Sequence, residues 1–397
     1  VTDRESATPH VSVVAEKLGE IQLAMRDKKL EGWLLADHRG QNRIALRALG
    51  IGPETGEEPP LRRVFYWLPA DGIPVLIAHA LELPTLPELP GERRSYTGWA
   101  ELRQALERTL PSRGAIAMEH ATIAASPDVS RVEAGTVGLV ESYGARVVPS
   151  IDLANAFVGV LREGEIALLK KTTSLLAGVR DALGKTLRGA VTAADVAREA
   201  ERQLAAAGLI AVRTPMVALA EATGSWPRTL GEGALGARQH ATLDLFARLP
   251  GGPCAHLGVV LTRGESAIAS RMLREASAVR DAAIDALRTR LGKGERVLGY
   301  EIDEVARTAA AKLDRKGAIR HRTGSHVGTV PLSGEACTFD GLELADTRVA
   351  LAGHAWSIHP GLYGDDGGVR AHALVLAMAR GLDVLDQSPP APLVLEG

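Results

Sequence analysis

The chain has 397 residues, 46% of them apolar and 24% charged, and its 46 Lys and Arg against 48 Asp and Glu leave a net charge of −2. That balance excludes a basic nucleic-acid binder and an acidic disordered chain, and the length suits two domains. Two cysteines, Cys254 and Cys337, exclude a disulfide framework and a four-cysteine zinc site, no apolar run approaches a membrane span, and Val1–Arg26 has no signal-peptide core, so the expectation is a cytoplasmic protein without nucleic-acid or membrane partners.

Residues 11–30 carry Val14, Leu18, Ile21 and Met25 at helical spacing. Gly32-Trp-Leu-Leu-Ala36, Val64-Phe-Tyr-Trp-Leu68 and Pro74-Val-Leu-Ile-Ala78 read as buried strands, the last two joined by the turn Pro69-Ala-Asp-Gly72. Pro84–Pro90 reads as a loop. A helix over Trp99–Leu110 and strands at Ala115–Met118 and Arg146–Val148 complete an α/β unit over 1–160. A long helix is predicted from Arg162 to near Gly189, and Thr192-Ala-Ala-Asp195 reads as the capping box of a second, running to Gly208. Ala269–Leu291 and Glu301–Leu313 read as two more. Strands and hairpins at 211–220, 241–262 and 346–379 then give an α+β unit over 161–397.

Gly231-Glu-Gly-Ala-Leu-Gly236 has the spacing of a dinucleotide fingerprint, but Trp226-Pro precedes it and a strand follows it, so it reads as a loop. The histidines are more informative. In Trp356-Ser-Ile-His-Pro-Gly-Leu-Tyr-Gly-Asp-Asp-Gly-Gly-Val-Arg-Ala-His372 a turn centred on Asp365 and Asp366 puts His359 opposite His372. A second hairpin, turning at Pro250–Pro253, brings Asp244 nearly opposite His256, offset by a residue or two. Imidazole with carboxylate is a ligand set for zinc, iron and copper. Taken singly, each residue also suits a hydrogen-bonded histidine on a sheet.

Five segments, Glu165-Ile-Ala-Leu-Leu-Lys-Lys171, Leu243-Asp-Leu-Phe-Ala-Arg248, His321-Arg-Thr-Gly324, Ser357-Ile-His-Pro-Gly-Leu-Tyr363 and Gly368-Val-Arg370, resemble the creatinase, aminopeptidase P and prolidase family in order and spacing. Leu34-Leu-Ala-Asp-His-Arg-Gly-Gln-Asn42 resembles its accessory domain. The resemblance implies a pita-bread C-terminal domain behind an α/β N-terminal domain, and a homodimer. Family peptidases hold two metal ions with two Asp, one His and two Glu. Here the first Asp matches Asp244, but the second falls on His256, the His on Ser325 with His326 next to it, and the two Glu on His359 and His372. The two substrate-side histidines fall on Arg228 and near Leu332.

Three of the four changed ligand positions hold histidine in a chain with only 11, which favours re-tooling over decay. A carboxylate can bridge two metals, whereas a neutral imidazole offers one nitrogen to one. The expectation is therefore a single divalent transition metal, iron foremost and copper or zinc next, on His256, His359 and His372 with Asp244 in reach. The groups left for substrate and protons are His326, Arg228 and Arg370. His326 suits proton transfer, Arg228 stays protonated, and Arg370 either shapes the site through a salt bridge or meets substrate. Oxidation of a small molecule with dioxygen is the first expectation, and hydrolysis of a C–N bond the second, creatinase being a metal-free member of the family. A non-catalytic binding module is the third.

Overall fold

The computed structural model describes residues 12–395 apart from 53–57, 122–125, 189–190, 226–232, 316 and 366. The chain divides into two units, Val1–Gly159 and Val160–Gly397.

The first unit is a mixed sheet with helices on both faces. Its strands are β1 (Gly32–Asp37), β2 (Val64–Pro69), β3 (Val75–His79), β4 (Glu92–Tyr96), β5 (Ala115–Met118) and β6 (Arg146–Pro149), in the order β4-β3-β2-β1-β5-β6. Because strand side chains alternate, Trp33 and Leu35 of β1 pack under α1 (Val13–Glu16), α2 (Leu18–Asp27) and α3 (Arg43–Leu49). Leu34 packs on the other face, under α4 (Trp99–Thr109) and α5 (Ala134–Glu141). The helix expected over 11–30 breaks at Lys17. In the Leu34–Asn42 segment, Asp37 accepts from the amides of Gly40 and Asn42, and Asn42 donates to the buried Glu119 carboxylate, so this motif closes a local hydrogen-bond network. A one-turn helix, α6 (Ile151–Leu153), and a π-turn at Ala154–Val158 end the unit.

The second unit opens with α7 (Glu163–Thr186) and α8 (Ala193–Ala206). The expected capping box forms: the Thr192 hydroxyl accepts from the Asp195 amide at 3.1 Å, and the Asp195 carboxylate accepts from the Thr192 amide at 2.9 Å. Strands β7 (Ile210–Ala211), β8 (Met216–Leu219), β9 (His240–Arg248) and β10 (Ala255–Arg263) follow, then α9 (Ala267–Gly292) and α10 (Gly299–Lys312). The remaining strands are β11 (Gly324–His326), β12 (Ala355–Ile358), β13 (Gly361–Gly364), β14 (Gly367–Arg370), β15 (Ala373–Ala377), β16 (Leu382–Gln387) and β17 (Leu393–Leu395). One sheet runs β17-β10-β9-β7, with β8 also on β9. A second runs β11-β12-β15-β16, and β13 and β14 form a hairpin.

Two apolar layers hold the sheets. Leu169, Leu176 and Leu183 of α7 and Val196 and Leu204 of α8 pack on Leu243, Leu245, Leu257 and Leu261, and that core also takes Ala355, Leu374 and Leu376 from the second sheet. On the other side, α9 and α10 pack Leu273, Ile284, Leu287 and Ile302 against Trp356, Ile358, Val375 and Val369. Strand β12 thus serves two cores, Ala355 and Ser357 facing one way and Trp356 and Ile358 the other.

Candidate active site

The long strands β9 and β10 are apolar on one face and polar on the other. Leu243, Leu245, Leu257 and Val259 go into the core, so Asp244, His256 and Gly258 point the opposite way. The register sets Asp244 opposite Gly258 and Phe246 opposite His256, which makes Asp244 and His256 diagonal neighbours. Across β13 and β14, Gly361 pairs with Arg370, and the same register continues as Ile358 with Ala373 between β12 and β15. His359 and His372 stand in line between those pairs. Both rings lie beside His256, with centroids 5.5 Å away for His359 and 4.7 Å for His372.

One hydrogen-bond chain ties these groups together. The His321 ring bonds the Tyr363 hydroxyl at 2.9 Å, and that hydroxyl accepts from Arg370 at 3.4 Å. Arg370 donates to one oxygen of Asp244, and the other Asp244 oxygen meets Nε2 of His256 at 3.1 Å. Nδ1 of His256 is 2.6 Å from the Ser357 hydroxyl. Nδ1 of His359 donates to the Ser357 carbonyl at 2.9 Å. The His372 ring is fully buried, and neither of its nitrogens has a partner among the described residues.

These contacts fix the charge states. Burial raises the Asp244 carboxyl, but the Arg370 charge and the His256 bond outweigh it and hold the group below the usual carboxylate range. Burial also acts against the Arg370 charge, and Asp244 restores it. His359 and His372 are driven well below the ordinary imidazole value by burial and by neighbouring histidines, and burial takes His321 down to about 4. An ionised carboxylate only accepts, so Nε2 of His256 donates to Asp244, and in the neutral ring Nδ1 accepts from Ser357.

Of the residues singled out from sequence, Asp244, His256, His359, His372 and Arg370 share this pocket. His326 does not. It lies on β11 opposite Trp356, so its side chain takes the outer face of the sheet, where its ring meets His354 at 5.6 Å. The assignment of His326 to proton transfer at the site is corrected by that alternation: Ser325, one residue earlier and opposite Ser357, takes the inner face. Arg228 lies outside the described residues, as do Gly231 and Glu232 of the glycine-rich stretch, whose remainder, Gly233–Gly236, is a loop. Of three further site groups, Ser357 and His321 carried no assigned role in the sequence, and Tyr363 read as a packing residue that closes the Pro-Gly-Leu-Tyr turn.

The donor set as arranged does not form a metal cage. Both Asp244 oxygens and both His256 nitrogens are engaged, and one Asp244 oxygen meets a guanidinium. Among the described residues no three His, Cys, Asp or Glu side chains are grouped to hold an ion. The three imidazoles expected to hold an ion gather here, within a network that carries its own cation, Arg370, so His256 would have to exchange its present partners to bind a metal. A cavity of about 230 Å³ lies beside these groups: Arg370 lines it together with Arg180, Gly258, Leu273 and Ser388, whereas Asp244, His256 and Ser357 do not.

No helix among the described residues is long and apolar enough to cross a membrane. No curated protein matches the sequence. The dipeptidase PepE from Mycobacterium ulcerans is 20% identical with a TM-score of 0.81, over 97% of this chain and 98% of that one. The prolidase from Thermococcus sibiricus is 15% identical with a TM-score of 0.73, over 96% and 98%. The Xaa-Pro dipeptidase from Bacillus anthracis is 15% identical with a TM-score of 0.73, over 96% and 99%. At such identities the likeness establishes the fold, a pita-bread domain behind an α/β domain. Residues 167–378, more than half of the chain, match the family model for metallopeptidases of family M24, and the chain belongs to that family.

Proposed function

We propose that the chain hydrolyses a C–N bond in a small, peptide-like amide, with Asp244 and His256 handling the protons and no dinuclear metal centre. The observation that carries this reading is the buried Asp244–His256 pair, its carboxylate held ionised by Arg370. A hydroxyl bonded to Nδ1 of His256 loses its proton to that nitrogen as it attacks the acyl carbon. The same nitrogen returns the proton to the leaving amine, while Asp244 orients the ring and stabilises its charged form.

The test is amine release from a panel of dipeptides and simple N-acyl amides. Asp244→Asn and His256→Ala should each lower kcat/KM by about 10²–10⁴-fold, and chelation should leave the wild-type rate unchanged. No hydrolysis across the panel would sink the reading.

A single divalent ion is the second reading, favoured by the two unpartnered nitrogens of His372. It requires His256 to exchange its bond to Asp244 for a metal. Elemental analysis of protein purified without added metal separates the two: stoichiometric metal, lost in His372→Ala, would favour the ion. Oxidation at iron or copper, the first expectation from the sequence, has no support in a family of peptidases.

A further inference from the structure

We propose that Ser357 is the nucleophile, so that the reaction proceeds through an acyl-Ser357 intermediate; this rests on the C–N hydrolase reading above. Three observations meet at this residue. Asp244, His256 and Ser357 form a carboxylate–imidazole–hydroxyl chain, with contacts of 3.1 Å and 2.6 Å. Those are the lengths at which a base and a nucleophile work together. The chain is also polarised in the useful direction. Asp244 can only accept, so Nε2 of His256 carries the proton, and it is Nδ1, the nitrogen that holds the lone pair when the ring is neutral, that faces the Ser357 hydroxyl. Third, His372 is buried, and both its ring nitrogens lack a partner among the described residues. It lies on the same side of β15 as Leu374, which is opposite Ser357, so it is a diagonal neighbour of the serine. A neutral imidazole keeps one N–H, and a buried donor without a partner is costly unless a ligand meets it. An oxyanion forming on a carbon bonded to Ser357 is such a ligand.

The steps balance. The Ser357 hydroxyl proton moves to Nδ1 of His256 as Oγ bonds the acyl carbon, and the carbonyl oxygen takes the negative charge beside His372. The C–N bond then breaks, and the proton on Nδ1 goes to the leaving nitrogen. This gives a free amine and an ester on Ser357. Water enters, loses a proton to Nδ1 and attacks the ester. The bond to Oγ breaks, Oγ recovers the proton from His256, and the carboxylic acid leaves.

The position is set by strand phase. Ser357 lies between Trp356 and Ile358, both buried in the opposite core, so the hydroxyl cannot turn away without unpacking them. The neighbouring Ser325 also faces inward, but among the described residues its hydroxyl has no hydrogen-bond partner and so no base.

The experiment uses the full chain and a fluorophosphonate probe, read by intact mass and peptide mapping, alongside hydrolysis of the amide panel. The expected result is one adduct per chain on Ser357. It should be absent in Ser357→Ala and His256→Ala and retained in Ser325→Ala, with all variants folded by circular dichroism. Ser357→Ala should lose about 10⁴-fold in turnover. Ser357→Cys should restore covalent labelling, now by iodoacetamide. No adduct on wild type, or turnover in Ser357→Ala within about twofold of wild type, overturns the nucleophile. If amides are still hydrolysed then, the hydrolase reading survives alone. If Ser357 labels and no amide is cleaved, the reactive serine stands and the hydrolase reading falls.

Discussion

Gly258 faces Asp244 across β9 and β10, and the missing side chain there is what leaves the carboxylate beside His372. A methyl group on Gly258 would sit 3.2 Å from Cβ of His372 and 3.5 Å from Oδ1 of Asp244. Cβ of His372 is fixed to its backbone and cannot swing aside. Gly258→Ala should therefore destabilise the protein by about 1–3 kcal/mol and reduce turnover, and Gly258→Val should do both more strongly. Guanidinium unfolding checks the first point; an unchanged midpoint for both variants would show that His372 has more room than the structure gives it.

Arg370 and Asp244 are both about 3% exposed, and each compensates the other's charge. Removing one partner leaves a buried, uncompensated charge. Arg370→Met should cost about 3–5 kcal/mol. The double replacement Arg370→Met with Asp244→Asn should recover part of that loss. Equal stability of single and double variants would mean that water already reaches the pair.

The buried imidazoles make stability depend on pH. His359 and His372 bind protons in the folded state far less readily than the ordinary value near 6.5, and His321 does so only at about 4. Below that ordinary value the unfolded chain therefore holds more protons, and stability falls with falling pH by up to about 1.4 kcal/mol per unit for each such histidine. The fall should begin near pH 6.5 and continue through pH 4. Asp244 adds a second loss below about pH 4, where an unfolded Asp takes up its proton but the folded one does not. Unfolding curves from pH 8 to 3 should show both, and His372→Leu should flatten the first. A profile flat from pH 7 to 5 would mean that the rings are charged or solvated.

His326 supplies a control. It faces the outer core beside His354, away from Asp244 and His256. His326→Gln should lower the melting temperature and leave kcat/KM within about twofold, a loss confined to packing. A drop as large as that of His256→Ala would bring it back to the site.

Much of this was legible in the sequence because strand periodicity is exact. The hairpin centred on residues 365 and 366 gave the pairing of His359 with His372, and the observed register of Gly361 with Arg370 agrees. The offset of Asp244 from His256 was legible for the same reason. What failed were features that depend on a partner strand. His326 and Ser325 differ by one residue, and which of them faces inward is decided by the pairing of β11 with β12, at a distance of about 30 residues in the chain. Ser357 has no chemical signature of its own until His256 is beside it. In the first unit, β4 is an edge strand that carries the polar Glu92, Arg93, Arg94 and Ser95, so no apolar pattern marked it as a strand.

The contacts that complete the site span long stretches of chain. His256 and Ser357 are 101 residues apart, and Asp244 and Arg370 are 126 apart. The β9–β10 hairpin can close early because its strands are adjacent in sequence, but its polar face then waits in water for β12 and β14. Closing loops of that length is entropically slow, and native contacts of this kind form late. The geometry of the site is therefore expected to form late in folding. An intermediate with β9 and β10 in place, but β12 to β15 not yet docked, would have a hydrated Asp244 and no bond from His256 to Ser357. Protection of the His256 ring from solvent should appear after the helices form, and its arrival would time the closing of the second unit.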